Sequence, residues 1–225
     1  MILNFGMVRM AQAQASEGFR AARCRRWVLG LAIALIGLAV PFALFVHPFL
    51  AINVPVKANV LVIEGWVPGY VVDRAVGEMN RGRYDAVFIS GMQTEDGKPS
   101  DAEEIAGRLA KSGIDPARIV AAPAPPKVWD RTSHMARAVR DRLFAGSVKP
   151  RGVNVITLGP HARQSLLAYS RMIGPGIPVG VISVPKDDYD PDLWWASAAG
   201  IRKTTKDFAG WLKEWVFFYK MVNFI

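Results

Sequence analysis

Residues 153–165 read VNVITLGPHARQS, a β-branched apolar run that passes without a break into Gly159, Pro160, His161 and Arg163. The run predicts a buried strand, and Gly-Pro followed by Ala162, Gln164, Leu166 and Leu167 predicts the start of a helix. Such a junction stands at the carboxyl edge of a sheet, where the free amides of a first helical turn bind anions. With His161 and Arg163 beside it, it implies recognition of a phosphate or carboxylate, and His161 is placed to donate a proton. The competing reading is structural: His161 caps its neighbours and Arg163 pairs with a carboxylate such as Glu64.

Other residue types fall on the same edge. Glu64 follows an apolar run and reads either as a general base or as half of an ion pair with Arg74 or Arg131. Trp66, Ser90, Gly91, Arg131 and Thr132 map to strand ends or to the helix starts that face them. Ser90 invites a hydrolase reading, but FISGM lacks the flanking glycine of a nucleophile elbow, which disfavours a Ser–His–acid triad. Trp194 and Trp195 are adjacent aromatics, suited to stacking on a sugar ring or to packing under the last helix; adjacency predicts one inward and one toward the crevice. His47, His134 and His161 are not spaced as a ligand pair, and Asp187, Asp188, Asp190 and Asp192 read as a solvated loop, so no metal site is predicted. No motif names a cofactor.

Positioning these residues requires a parallel sheet. Apolar runs at 59–63, 86–90, 118–122, 153–158 and 179–184 predict five strands, and patterns near 71–80, 101–112, 132–144, 161–173 and 203–222 predict the helices between and after them. This βαβ rhythm gives the predicted fold class, a Rossmann-like doubly wound α/β sheet. Ser100 with Glu103 forms a capping box, and Gly113 closes that helix. The prolines of 122–126 predict a loop. The last helix carries Phe208, Trp211, Leu212, Trp215, Tyr219 and Val222 on one stripe, expected to pack on the sheet, and a terminal FFYKMVNFI apolar enough to touch a bilayer interface.

Ahead of this domain, residues 27–56 carry no formally charged side chain. WVLGLAIALIGLAVPFALFV is long enough to span a bilayer, and Pro41 permits the span with a kink. Arg9, Arg20, Arg23, Arg25 and Arg26 precede it against Glu17 alone, and only Lys57 follows closely. That asymmetry keeps the amino terminus in the cytoplasm and delivers Lys57 onward to the other side of the membrane. A cleaved signal peptide is the alternative, disfavoured by the length of the run and by the lack of a clean small-x-small site. The expected division is a basic, irregular leader at 1–26, a transmembrane helix at 27–52 and an α/β domain at 57–225.

Formal charge is +9, spread without a polybasic block interleaved with aromatics, which argues against a nucleic-acid partner. Cys24 is the only cysteine and excludes an intramolecular disulfide.

Taken in order, Ile63-Glu64-Gly65-Trp66-Val67-Pro68, Ile89-Ser90-Gly91, Asp130-Arg131-Thr132 and Gly159-Pro160-His161-Ala162-Arg163 resemble the DUF218 domain family, that of the SanA, ElyC and YdcF proteins. Tyr189-Asp190-Pro191, Trp194-Trp195 and Gly200-Ile201-Arg202 are similar to the closing block of one branch. The resemblance covers roughly 58–212 and departs from the commoner pattern where Glu64-Gly65-Trp66 replaces a glycine-rich turn. It implies a Rossmann-like domain behind one membrane helix and a role in the bacterial envelope or its polysaccharides. The expected partners are therefore the bilayer, an anionic envelope glycan or lipid-linked precursor, and a membrane-protein partner. The expected activity is binding or processing of that ligand, with a non-catalytic scaffold as the alternative.

Overall fold

Alternation of side chains along a strand sends residues i and i+2 to one face of a sheet, and here both faces are apolar. In the computed structural model, β1 (Val60–Glu64) is buried along its whole length between β2 (Ala86–Met92) and β4 (Val153–Leu158). β3 (Ile119–Ala124) and β5 (Val179–Val184) complete a five-stranded sheet of order β3-β2-β1-β4-β5. Every strand pair is parallel, with Val62 opposite Phe88 and Val155, so the strands end together on one edge. The structure describes residues 3–94, 98–126 and 130–222, with side chains from 25 onward and up to 216.

The chain divides into two units, Met1–Phe45 and Val46–Ile225. The first lies within α1 (Leu3–Leu50), whose window Arg25–Leu50 is the one described helix long and apolar enough to cross a membrane. The leader, expected to be irregular, is helical from Leu3. Its Ala, Gln, Arg and Glu residues are good helix formers, and no proline interrupts them before Pro41.

In the second unit, α2 (Gly69–Asn80) and α3 (Asp101–Lys111) cover one face of the sheet through Val71, Met79, Ile105 and Leu109 against Leu61, Ile63 and Ile89. α4 (Arg131–Ala145) and α5 (Ala162–Ile173) cover the other through Val139, Leu143 and Tyr169 against Val62, Phe88 and Val155. The capping box on α3 forms as expected, Ser100 and Glu103 exchanging bonds. Pro123, placed in a loop from sequence, extends β3 instead. β3 is an edge strand, where a missing amide donor leaves no ladder bond unmade.

α6 (Ala198–Val222) reverses the expectation drawn from its apolar stripe. Its fully or nearly fully buried side chains are polar, Thr204, Asp207 and Glu214, whereas Leu212, Trp215 and Val216 are 40–47 % exposed. The polar face is turned inward because it meets charges on α4, α5 and the β4–α5 turn. The side chains of the terminal FFYKMVNFI, including Tyr219 and Val222, lie outside the described residues.

Candidate functional site

Glu64 is the last residue of β1 and shares a face with Val60 and Val62, so its carboxylate points into the layer under α4 and α5 and is fully buried. A buried carboxylate needs donors. It accepts a hydrogen bond from Thr157 Oγ1 at the end of β4, and Ser165 Oγ of α5 lies 3.0 Å from both of its oxygens. Neither of the arginines expected to pair with it does so. Arg74 meets Glu78 at 3.1 Å, and Arg131 opens onto the cleft described below.

His161 stands between Glu64 and solvent. Gly159 adopts φ +53, a conformation that glycine takes without strain, and with Pro160 it forms a single 3-10 turn that ends at His161 before α5 begins. His161 Nδ1 lies 3.2 Å from Asp207 Oδ1 of α6, and its Nε2 lies 3.9 Å from Glu64 Oε2, too far for a hydrogen bond. Nε2 is buried and without a hydrogen-bond partner among the described residues. The Trp66 ring packs on the imidazole edge-on, with centroids 4.8 Å apart, and Lys203 Nζ lies 5.0 Å from the centroid of the Trp66 ring while pairing with Asp207 at 2.6 Å.

Burial works to raise the Asp207 pKa, but the hydrogen bond from His161 and the charges of His161 and Lys203 outweigh it and hold the carboxyl below its usual range. Asp207 is thus an anion that fixes the imidazole through Nδ1, while Glu64 sits on the Nε2 side. The ring is therefore held through Nδ1, with Nε2 buried on the side of Glu64, while His161 lines the cleft beside Trp66 and Lys203.

That cleft has a volume of about 590 Å³. Trp66, Thr132, His161 and Gln164 line it together with Arg131, Lys203, Lys206 and Lys213, four cations against the carboxylates of Asp130 and Asp207. The start of α4 opens onto it. Asp130, the N-cap residue, has φ 60, the sole left-handed non-glycine among the described residues, and its side chain makes no capping bond. It lies instead 3.4 Å from Lys213, so the first turn of a four-turn helix presents its positive end to the cleft without a side-chain cap. Behind it, Glu214 receives Ser133 Oγ at 3.0 Å and Arg171 at 2.9 Å, a buried cluster joining α4, α5 and α6.

The residues singled out in the sequence are distributed unevenly around this cleft. Trp66, Arg131, Thr132 and His161 line it. Glu64 reaches it only through His161, which makes it a positioning group. Arg163 is not brought to it: its Nε donates to the Phe49 carbonyl and its guanidinium lies 4.0 Å from the Phe49 ring centroid. The start of α4, with Arg131 and Thr132, opens onto the cleft, and of the start of α5 His161 and Gln164 do so while Arg163 does not. Ser90 is fully buried and accepts a 3.1 Å bond from Tyr169, and a Cβ on Gly91 would come within 2.5 Å of the Ala102 amide. Both residues serve the packing of β2. Trp194 is buried with its backbone against Gly200, and Trp195 is partly exposed beside it, so neither faces the cleft.

Sequence reasoning missed Lys203, Lys206, Asp207, Lys213, Asp130 and Gln164. One signal was present: 203, 206, 210 and 213 follow helical spacing, with Gly210 between the lysines, and mark a second face opposite the aromatic stripe. Comparison of the chain with family models, with curated proteins and with solved structures gives no match in any of the three.

Proposed function

We propose that this protein is held in the bacterial inner membrane by α1 and binds a phosphate-bearing or carboxylate-bearing ligand in the cleft between α4 and α6, with His161 as the proton donor to it. The observation that carries this reading is the convergence of Arg131, Lys203, Lys206 and Lys213 on an uncapped helix start. Charge of one sign gathered at the carboxyl edge of a parallel sheet is what an anion requires. His161, oriented by Asp207 and facing the same space, is the group that protonates a leaving oxygen.

The resemblance to the DUF218 family supports an anionic envelope glycan or a lipid-linked envelope precursor as the ligand, and the domain's place outside the cytoplasm. Trp66 in the lining of the cleft favours a ligand with a sugar face near its charge. Among the described residues, the side chains around the cleft include no activated nucleophile. Thr132 accepts from Gln164 at 3.3 Å, and Ser165 is occupied by Glu64. This favours either direct protonation with water as the attacking group or ligand holding without chemistry.

Binding of an undecaprenyl-diphosphate-linked sugar to the full chain in detergent tests the reading. A charge-assisted contact contributes about 1.5–3 kcal/mol, so Arg131→Ala and Lys206→Ala each weaken binding roughly ten- to a hundredfold, while Arg163→Ala leaves it unchanged. Equal affinity in wild type and both cation variants overturns it. His161→Ala, with normal membrane level and retained binding, loses ligand turnover if the cleft is catalytic; a variant that still supports the envelope function makes the protein a binding subunit.

A further inference from the structure

We infer that a cavity at the amino edge of the sheet, the edge opposite the cleft, is a second binding site and takes a dianionic phosphate group. β1 begins at Val60 and β2 at Ala86, and the cavity, of about 720 Å³, lies at these starts between the segment 53–58, the end of α2 and Asn154 of β4. Lys57, Arg74, Arg81 and Arg83 line it, four cations against the carboxylate of Glu78 alone among the described residues. Glu78 is buried and pairs with Arg74 at 3.1 Å and with Arg81 at 2.5 Å. One carboxylate thus holds two guanidiniums in place and cancels a single charge. Lys57 and Arg83 meet no carboxylate among the described residues and are left to face an anion.

Tyr84 points to the same occupant independently. It lines the cavity and is 4 % exposed, and its hydroxyl accepts a 3.0 Å bond from Asn154 Nδ2 but donates to no acceptor among the described residues. Burial raises its pKa, so the proton stays on the oxygen. A buried donor without an acceptor is destabilising, and an anion's oxygen in the cavity supplies the acceptor. The wall beside it is already ordered: Asn154 exchanges two bonds with the Val56 backbone, at 2.8 and 2.9 Å, and Val54 pairs with Val181 through two more. A preformed wall leaves little to be ordered on binding. Guanidinium forks match phosphate oxygens two at a time. The excess of cations suits a phosphate monoester, with about two negative charges, better than a carboxylate with one. A soluble phosphate ester and a phosphatidate headgroup both carry this group.

Calorimetric titration of the full chain in dodecyl maltoside with inorganic phosphate, at pH 8 and matched ionic strength, tests the site. Arg131→Ala with Lys206→Ala serves as background, so that the outcome does not depend on the ligand proposed for the cleft. Phosphate binding is expected to persist in that background, to weaken roughly tenfold or more when Lys57→Ala and Arg83→Ala are added, and to weaken several-fold with Tyr84→Phe. Lys111→Ala, on the exposed side of α3, is expected to leave it unchanged. Binding that is absent from the background, that Lys57→Ala with Arg83→Ala does not alter, or that Lys111→Ala weakens as much, overturns the site. Dilauroyl phosphatidate added to the micelles separates the two sources: displacement of the bound phosphate assigns a lipid headgroup, and retention assigns a soluble phosphate ester.

Discussion

His161 owes its place to two carboxylates that differ in what surrounds them. Glu64 is hydrogen-bonded by hydroxyl donors deep in the sheet, whereas Asp207 relies on the imidazole and on Lys203. Because the folded state holds the Asp207 pKa below its unfolded value, this group binds fewer protons when folded, and its contribution to stability has a definite sign. The contribution is fully present above about pH 4, the ordinary carboxylate range, and is lost as the pH falls through the folded value. Denaturation of the detergent-solubilised chain from pH 6 downward is expected to show this acid loss in wild type and a flatter profile in Asp207→Asn. Parallel profiles would mean that Asp207 has no linked role. Glu214 has the opposite sign: burial first, then the hydrogen bond and charge of Asp130, raise its pKa, so its contribution is lost as pH rises through the folded value.

At the scale of elements, the cleft depends on how closely α6 approaches α5. Gly210 makes that approach possible, since a Cβ there would collide with the Gln164 side chain, itself buried and bonded to Thr132. Gly210→Ala therefore forces Gln164 off Thr132 or pushes the helices apart, and overpacking of this kind costs about 1–3 kcal/mol. In a Gln164→Ala background most of that cost is expected to vanish, because the colliding atoms are gone. A double-mutant cycle on the denaturation midpoint checks the coupling; additive effects would place the strain elsewhere. The same closeness explains why α6 buries Thr204, Asp207 and Glu214: its inward partners are His161, Arg171 and Ser133, which an apolar face would leave unpaired.

For the whole molecule, the charge asymmetry of α1 sets the compartment expected for the cleft. Five arginines precede the uncharged stretch 27–56 and one lysine follows it closely, so the amino terminus is expected in the cytoplasm and the sheet domain outside it. An alkaline phosphatase fused after Ile225 should be active, and protease added to spheroplasts should digest the domain. An inactive fusion with a protected domain reverses the topology and with it the case for an envelope ligand. Reversing the asymmetry, by replacing Arg23, Arg25 and Arg26 with Gln and adding lysines after Lys57, should lower the active fraction.

The elements were legible in the sequence because their signals are local. β4 and β5 fall at the residues their β-branched runs marked, and α3 starts at its capping box. The parallel order follows from alternating strands and helices, and it places Glu64, Trp66, Arg131, Thr132 and His161 at one edge. Side-chain direction was not local. Whether Arg163 meets a ligand or the Phe49 carbonyl depends on residues 114 positions apart in the chain, and whether Ser90 opens onto the cleft or is closed under Tyr169 depends on residues 79 positions apart. The aromatic stripe of α6 announced an amphipathic helix, since periodicity reports that two faces differ. It cannot report which face turns inward when the neighbouring helices supply buried charges. Only the packed structure, with Asp207 and Glu214 drawn to their partners, decided that the lysines line the cleft and that Leu212, Trp215 and Val216 face out.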